Sequence, residues 1–244
     1  MDVAWEDLGW ERLAAGVGRR RLPGWDATSG LIVGTEGALL YDTGSTLHEG
    51  AELRTQAEAL LNGGRVTHIA LSHPHFDHVL GTAAFDGTPV YGALGVDALL
   101  TREREVLRAD AVRHGVAAAD AAAATARLVV PGRTVSGELT VELGGGRRVL
   151  LVSVGPGHTG HDLAALVPPV AGSPAVVFCG DLVEESGEPQ AGPDAVGARW
   201  PAALDRLLAI GGEDALYVPG HGAVVDATFV RAQRDALARR FGGS

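Results

Sequence analysis

The chain has 244 residues, which is enough for one large domain or two small ones with a substantial buried core. Its formal net charge is −10 and all 20 basic residues are arginine, so an acidic chain without a basic run is a poor candidate for binding a nucleic-acid backbone. The single cysteine, Cys179, excludes an internal disulfide, and the acidic N-terminus lacks the apolar stretch of a signal peptide, so we expect a cytoplasmic protein.

The first third of the chain alternates short apolar runs with turn residues. Residues 31–33 and 38–41 flank a Gly-Thr-Glu-Gly turn, which predicts a β-hairpin. Residues 46–61 have the spacing of an amphipathic helix that ends at an Asn-Gly-Gly sequence. Residues 65–71 are apolar and rich in β-branched side chains, which predicts a buried strand. This strand, helix and strand order predicts an α/β sandwich.

The middle of the chain is predicted to be helical. A short helix is expected at residues 79–85 and a short strand at 89–91. Residues 93–126 are rich in alanine with a charged face, and Gly115 is expected to separate two helices. We interpret this span as a helical insertion within one domain covering residues 1–244. It could either pack on the surface or cover a functional site as a lid.

The second half is richer in predicted strands. Residues 138–143 alternate polar and apolar side chains, and residues 147–154 form another strand pattern. Residues 163–180 carry no charge over about the length of a membrane helix. Prolines and glycines divide this segment, however, so it predicts two buried strands rather than a membrane span. A closing helix is expected at residues 226–241.

Three histidines and one aspartate lie within residues 73–78, directly after a predicted strand. Pro74 prevents these residues from continuing a ladder or a regular helix, so they are expected to form a loop. Neutral imidazole and carboxylate groups are the ligands that suit zinc and similar divalent metals. Four such ligand atoms on one tight turn can contribute to two neighbouring metal sites. Their density argues against the alternative, a polar loop that binds no metal.

Three later segments repeat the same design, in which an apolar strand and a glycine or proline precede a histidine or aspartate. They end at His158, Asp181 and His221. Asp42 also follows a predicted strand and precedes a Thr-Gly pair, so it could be a turn residue or a support for the histidine loop.

The order H-x-H-x-D-H, then His, Asp and His, resembles that of the metallo-β-lactamase-fold hydrolase superfamily over about residues 31–222. The resemblance implies an α/β fold, a four-layer αββα sandwich of two mixed β-sheets flanked by helices. It also implies two zinc ions per chain, with iron or manganese as alternatives. The implied ligands are His73, His75 and His158 for the first metal, Asp77, His78 and His221 for the second, and Asp181 as a bridge between them.

The implied reaction is hydrolysis of a small ester, thioester, lactone or lactam by a metal-bridging hydroxide. Asp77 is the implied catalytic residue, since its carboxylate can orient that hydroxide as well as bind metal. The sequence does not choose among these small-molecule substrates. Two other functions stay open: a mononuclear iron oxidoreductase similar to persulfide dioxygenases, and a non-catalytic binding protein stabilised by metal. The complete ligand set argues against the last.

The remaining candidates have weaker signals. The resemblance implies that Asp42 hydrogen-bonds to a metal-binding histidine without binding the metal itself. His161 is a candidate for a similar role, although its motif lacks the proline found in many members of the superfamily. Cys179 is expected to be a small buried strand residue. Trp25 lies before the hairpin and could contact substrate, together with residues 93–126 and 186–190, or could pack on the N-terminal strands. His48, His68 and His114 are interpreted as structural.

Overall fold

The protein is described by a computed structural model that covers residues 4–170 and 172–242. Its strands are β1 Glu11–Ala14, β2 Val17–Arg21, β3 Thr28–Val33, β4 Ala38–Tyr41, β5 His68–Ala70, β6 Val90–Ala93, β7 Arg133–Val135, β8 Glu138–Gly144, β9 Arg147–Val152, β10 Ala164–Val167, β11 Val176–Glu184 and β12 Leu216–His221. Its α-helices are α1 Leu47–Leu60, α2 Phe76–Val79, α3 Val96–Arg102, α4 Arg104–Arg113, α5 Ala118–Ala126, α6 Trp200–Gly211 and α7 Ala227–Phe241.

The strands form two mixed sheets. The first sheet has seven strands in sequence order from β1 to β7, antiparallel up to β4 and parallel from β4 onward. The second has five strands in the order β12-β11-β10-β9-β8, and only β11 and β12 are parallel. The predicted pair of mixed sheets is therefore confirmed.

The central strands are buried on both faces, which produces the four layers. Leu39 belongs to the apolar cluster between the sheets, and its neighbour Leu40 belongs to the cluster under α1 and the helices α3 to α5. In the second sheet Phe178 points between the sheets, while Val177 packs with residues of α6 and α7. Because successive side chains of a strand point to opposite faces, each sheet needs a helical layer on its outer side. This confirms the αββα sandwich.

The two long helices predicted from the sequence are present and capped. Thr46 precedes α1 and its side chain accepts a hydrogen bond from the Glu49 backbone N–H at 3.1 Å. Asp226 does the same for the Phe229 N–H at the start of α7, at 2.9 Å. A side-chain acceptor at this position satisfies one of the free N–H groups of a helix terminus.

The helical region differs from the sequence prediction in two places. Residues 96–126 form three helices rather than two, because the chain breaks at Glu103 as well as around Gly115. The structure also contains α6, a helix that the sequence analysis does not predict. The uncharged stretch at 163–180 forms β10 and β11, as predicted. In the part of the chain that is described, we find no helix with both the length and the apolar character to cross a membrane.

Candidate metal centre

The first four candidate ligands follow β5, but they do not all lie on a loop. His75 has an extended backbone and directly precedes α2, which begins at Phe76. Asp77 and His78 therefore lie on a single helical turn, which corrects the expectation of a loop over residues 73–78. Pro74 blocks helix formation only around itself, so the chain becomes helical two residues later.

Asp181 also differs from its predicted setting. The strand does not end before it, because β11 continues to Glu184. Gly180 has a φ of 54° and the pairing with β12 is irregular on both sides of it. A Cβ atom at Gly180 would lie 2.8 Å from the Ser72 Cβ, so only glycine fits this close approach to the histidine loop. This bulge within the strand directs Asp181 into the histidine cluster.

The fold brings all seven predicted residues together. Donor atoms within each of two groups lie within 4.8 Å of one another; the groups are His73, His75, His158 and Asp181, and Asp77, His78 and His221. Asp181 lies between them: its Oδ2 is 3.5 Å from His158 Nε2 and 3.3 Å from His221 Nε2, and its Oδ1 is 3.2 Å from His78 Nε2. The four from the β5–α2 segment thus meet three from the second half of the chain.

Several of these atoms are buried without a hydrogen-bond partner. They are His73 Nε2, His78 Nε2 and Asp181 Oδ1. Buried polar atoms in folded proteins nearly always have a hydrogen-bond partner, so three unpartnered polar atoms in one cluster require an explanation. A divalent cation would satisfy all three, and imidazole nitrogen and carboxylate oxygen are its preferred ligands. The residues present therefore fit a metal ion.

The other ring nitrogen of each candidate histidine is held from outside the cluster. The pairs are His73 Nδ1 with Ser72 Oγ at 2.8 Å, His75 Nε2 with Asp194 Oδ2 at 3.0 Å, His78 Nδ1 with Asp42 Oδ2 at 2.9 Å, His158 Nδ1 with Gln190 O at 3.1 Å, and His221 Nδ1 with Trp25 O at 2.7 Å. A carbonyl oxygen can only accept, so His158 and His221 carry a proton on Nδ1 and turn Nε2 toward the cluster, where His158 Nε2 lies 3.0 Å from His75 Nδ1. The outer contacts therefore fix ring orientation and favour the tautomer that a ligand needs.

Asp42 has the position expected of a supporting carboxylate. It is 1% exposed, and its Oδ1 accepts a hydrogen bond from the Ser72 backbone N–H at 2.7 Å. Its Oδ2 contacts the His78 ring nitrogen that faces away from Asp181. Asp42 thereby joins the end of β4 to the histidine segment and to one of its rings.

Two acidic residues near the cluster were not identified from the sequence. Asp194 follows a proline in an irregular loop, without a strand before it, so no local pattern marks it. Glu184 ends β11 opposite His221 and forms a third group of close donor atoms with Asp181 and His221. A strand prediction that continued three residues beyond Asp181 would include Glu184 and would identify it as a candidate ligand.

The other candidates lie outside the ligand cluster. His161 Nδ1 contacts Leu94 O at 2.9 Å, and no hydrogen bond within the described ranges joins its ring to the seven residues. Cys179 is buried, as expected for a strand residue, and burial raises the pKa of its thiol. The half-buried Trp25 ring packs edge-on against Phe76 at 5.4 Å and donates to His114 O at 3.2 Å. Trp25 therefore contacts α2 and the helical insertion, and it also packs against the core cluster that includes Leu22 and Leu31.

Burial and charge act in opposite directions on the histidines. Burial lowers the pKa of His73 well below its usual value and lowers that of His158 to about 4, so both are neutral near pH 7. Burial would also lower the pKa of His221, but the carboxylates of Asp181 and Asp77 raise it to about 12. The cluster thus concentrates negative charge beside His221, which is the charge that a bound cation would neutralise.

The comparisons with known proteins agree with this geometry. The family model of the metallo-beta-lactamase superfamily matches residues 22–221. A metallo-beta-lactamase from Pontibacter korlensis has a TM-score of 0.73 and 21% identity, with 93% of this chain and 97% of that chain covered. The enzyme FIM-1 from Pseudomonas aeruginosa, in its mono-zinc form, gives 0.71 and 18%, covering 96% of each chain.

A third structure, the metallo beta lactamase from Erythrobacter litoralis with beta mercaptoethanol in the active site, has a TM-score of 0.69 and 16% identity, with 94% of this chain and 96% of that chain covered. Among the curated proteins, no sequence matches the chain. At sequence identities this low, the similarity shows a shared fold and does not show a shared substrate. The family model spans most of the sequence, and the chain therefore belongs to the metallo-β-lactamase superfamily.

Proposed function

We propose that the protein is a dinuclear zinc-dependent hydrolase that acts on a small ester, thioester, lactone or lactam. The observation that carries the proposal is the set of buried, unpartnered donor atoms at His73, His78 and Asp181. A merely structural polar cluster would pair such atoms in hydrogen bonds of good geometry, whereas His78 Nε2 and Asp181 Oδ1 lie 3.2 Å apart without forming one. The pre-set tautomers of His158 and His221 support the same interpretation.

The ligands divide into two sets that share one residue. We assign His73, His75 and His158 to the first metal, Asp77, His78 and His221 to the second, and Asp181 to both, in keeping with the two groups of close donor atoms. Zinc bound there would supply a water molecule of lowered pKa and would polarise a substrate carbonyl. Iron or manganese could occupy the same donor set.

The protein side chains contribute orientation and charge. Asp77 Oδ2 lies 3.4 Å from His221 Nε2 and 3.5 Å from His78 Nε2, and Asp77 is 8% exposed. A carboxylate in this position can accept a hydrogen bond from the attacking water and hold it toward the substrate, so we assign Asp77 the catalytic role. Asp42 and Asp194 keep two ligand rings in place, which limits movement during the reaction.

Metal quantification followed by a substrate screen tests the proposal. The protein purified after zinc loading should hold two zinc ions per chain and should cleave at least one class among chromogenic esters, thioesters, lactones and a cephalosporin. His221→Ala should lower the zinc content to one. His48→Ala is a matched control, because this exposed histidine contacts Glu52 and not the cluster.

The alternative functions give different results in the same experiment. One iron per chain, together with oxygen consumption in the presence of a persulfide, would indicate the dioxygenase. Tight zinc binding without hydrolysis of any substrate class would favour the non-catalytic binding protein. Failure to retain any divalent metal would refute the proposal altogether.

A further inference from the structure

A carboxylate that the ligand assignment does not use lies at the edge of the cluster. One oxygen of Glu184, one oxygen of Asp181 and one ring nitrogen of His221 lie within 4.8 Å of one another. Glu184 is 7% exposed, and the Ser186 N–H donates to its Oε1 at 3.1 Å. Its own backbone N–H donates to Gln233 Oε1 at 3.0 Å, which fixes the end of β11. Among the ion pairs found within residues 4–170 and 172–242, none involves Glu184, so no arginine neutralises its carboxylate.

The formal charges around the centre do not favour an anion. Five carboxylates lie within 4.8 Å of a ligand imidazole nitrogen, and they belong to Asp42, Asp77, Asp181, Glu184 and Asp194. Two divalent cations would supply four positive charges against these five negative ones. The loaded centre would therefore carry a formal charge of −1, or of −2 with the attacking hydroxide bound, before a substrate enters.

Three arginines near the centre have other partners. Arg21 pairs with Asp26, whose other contact is the Gly222 N–H, and Arg240 pairs with Glu188. Arg19 is buried and binds Glu11 and the Gly222 carbonyl. The sequence contains no lysine. A site that grips a substrate carboxylate normally presents a free arginine or lysine, and within the described part of the chain no arginine contacts any of the seven ligands.

We propose that Glu184 makes this centre discriminate against substrates that carry a carboxylate near the scissile bond, and that its substrates are uncharged or cationic in that region. The inference rests on the proposed hydrolase function and narrows it. A cephalosporin has a carboxylate beside its lactam nitrogen, so lactams of that type are disfavoured relative to neutral esters, thioesters and lactones. A fixed like charge close to the substrate both weakens binding and slows encounter.

Two esters with the same leaving group provide the first test. The zinc-loaded protein is assayed with two 4-nitrophenyl esters of terephthalic acid, one with the second carboxyl group free and one with it as a methyl ester. The para position keeps the free carboxylate from attacking its own ester. The kcat/KM values are divided by the second-order rate constants for hydroxide-catalysed hydrolysis of each ester, which corrects for differences in intrinsic reactivity. At low ionic strength we expect the corrected value to be about tenfold higher for the neutral ester, the size of effect expected for one nearby charge that is partly screened.

Substitution and salt then assign the effect to Glu184. Glu184→Gln keeps an acceptor for Ser186 and removes the charge, so the preference for the neutral ester should fall by about threefold or more. Glu213→Gln is the matched control, because its side chain is 71% exposed and pairs with Arg231 rather than with an arginine near the centre, and this variant should keep the preference of the unaltered protein. In the unaltered protein, raising the ionic strength toward 0.5 M should also reduce the preference, since salt screens exposed charges.

A binding measurement gives a readout that does not depend on turnover. Propanethiol and 4-mercaptobutyrate are titrated into the cobalt-loaded protein and followed by the sulfur-to-cobalt absorption band. The neutral thiol should bind about tenfold more tightly, and Glu184→Gln should narrow this gap. Equal binding of the two thiols, or tighter binding of the anionic one, would overturn the charge selection while leaving the hydrolase proposal intact. Failure of the protein to bind cobalt or zinc would instead overturn the hydrolase proposal, so the two failures are distinguishable.

Discussion

Replacement of Asp42 by asparagine would separate support of the metal centre from direct ligation. The side chain is 1% exposed and accepts two hydrogen bonds, from the Ser72 N–H at 2.7 Å and from His78 Nδ1 at 2.9 Å. An asparagine has one acceptor oxygen and one NH2 group, so whichever way the amide turns, one of these buried donors faces another donor. Its backbone φ of 60° is tolerated by asparagine, so strain does not confound the comparison.

The expected magnitude follows from that lost acceptor. Leaving a buried donor unsatisfied costs about 1–3 kcal/mol. If His78 avoids this cost by moving its proton to Nε2, the ring no longer presents a lone pair toward Asp181 and the second metal. Removal of an outer-shell partner of a ligand typically lowers metal affinity about 10–100-fold, which corresponds to about 1.4–2.8 kcal/mol. The two ranges overlap, so we expect a 10–100-fold loss at the second metal site.

Zinc competition with a chromophoric chelator measures this loss. The Asp42→Asn protein should show one weakened site and one site of nearly unchanged affinity, because Asp42 contacts none of the first-site histidines. Asp226→Asn is the control, since asparagine is an equally good cap for α7 and this residue lies outside the cluster. Affinities within twofold of the unaltered protein at both sites would refute the reasoning and leave Asp42 as a turn residue.

Three further changes test other parts of the structure. Asp194→Asn should weaken the first metal site by about tenfold in the same chelator assay, because His75 loses its charged outer partner; a loss confined to the second site would contradict the assignment. Trp25→Ala keeps the carbonyl that binds His221, so zinc content should stay at two per chain while KM rises, whereas an unchanged KM with a large fall in Tm would assign the ring to packing alone. Burial raises the pKa of Asp162 to about 7, so the protonated carboxyl stabilises the fold at low pH and this contribution is lost as pH rises from about 4 to about 7. Urea unfolding should therefore show the stability of the unaltered protein falling more steeply over this window than that of Asp162→Asn, and parallel profiles would contradict the shift.

The sequence predicted the parts of the centre that depend on short-range chemistry. The apolar run before residues 73–78 and the glycines around His158 identify the ends of β5 and β9, where loops can present ligand side chains. The density of histidine there left little room for a purely structural interpretation. The pairing of the ligands into two groups came from the resemblance to a family and not from the spacing.

Other parts depended on contacts that no local pattern encodes. The extension of β11 beyond Asp181 requires β12 as its partner, and the glycine bulge hides this continuation in the sequence. Asp194 reaches His75 across 119 residues of sequence. The start of α2 inside the histidine motif has no signal in the sequence, because Pro74 stands two residues before it and disfavours a helix there. In each case tertiary pairing overrode the local preference.

The ligands in the cluster come from both sheets. His73 and His78 follow β5 of the first sheet, whereas Asp181 and His221 belong to β11 and β12 of the second. A metal bonded to both sets would act as a cross-link closing a loop of well over one hundred residues, comparable in its effect on chain entropy to a disulfide that this one-cysteine protein cannot form. After a chelator has removed the metal, amide hydrogen exchange should therefore be fastest where the two sheets meet at the metal end. It should be slowest in the core between the sheets around Phe178.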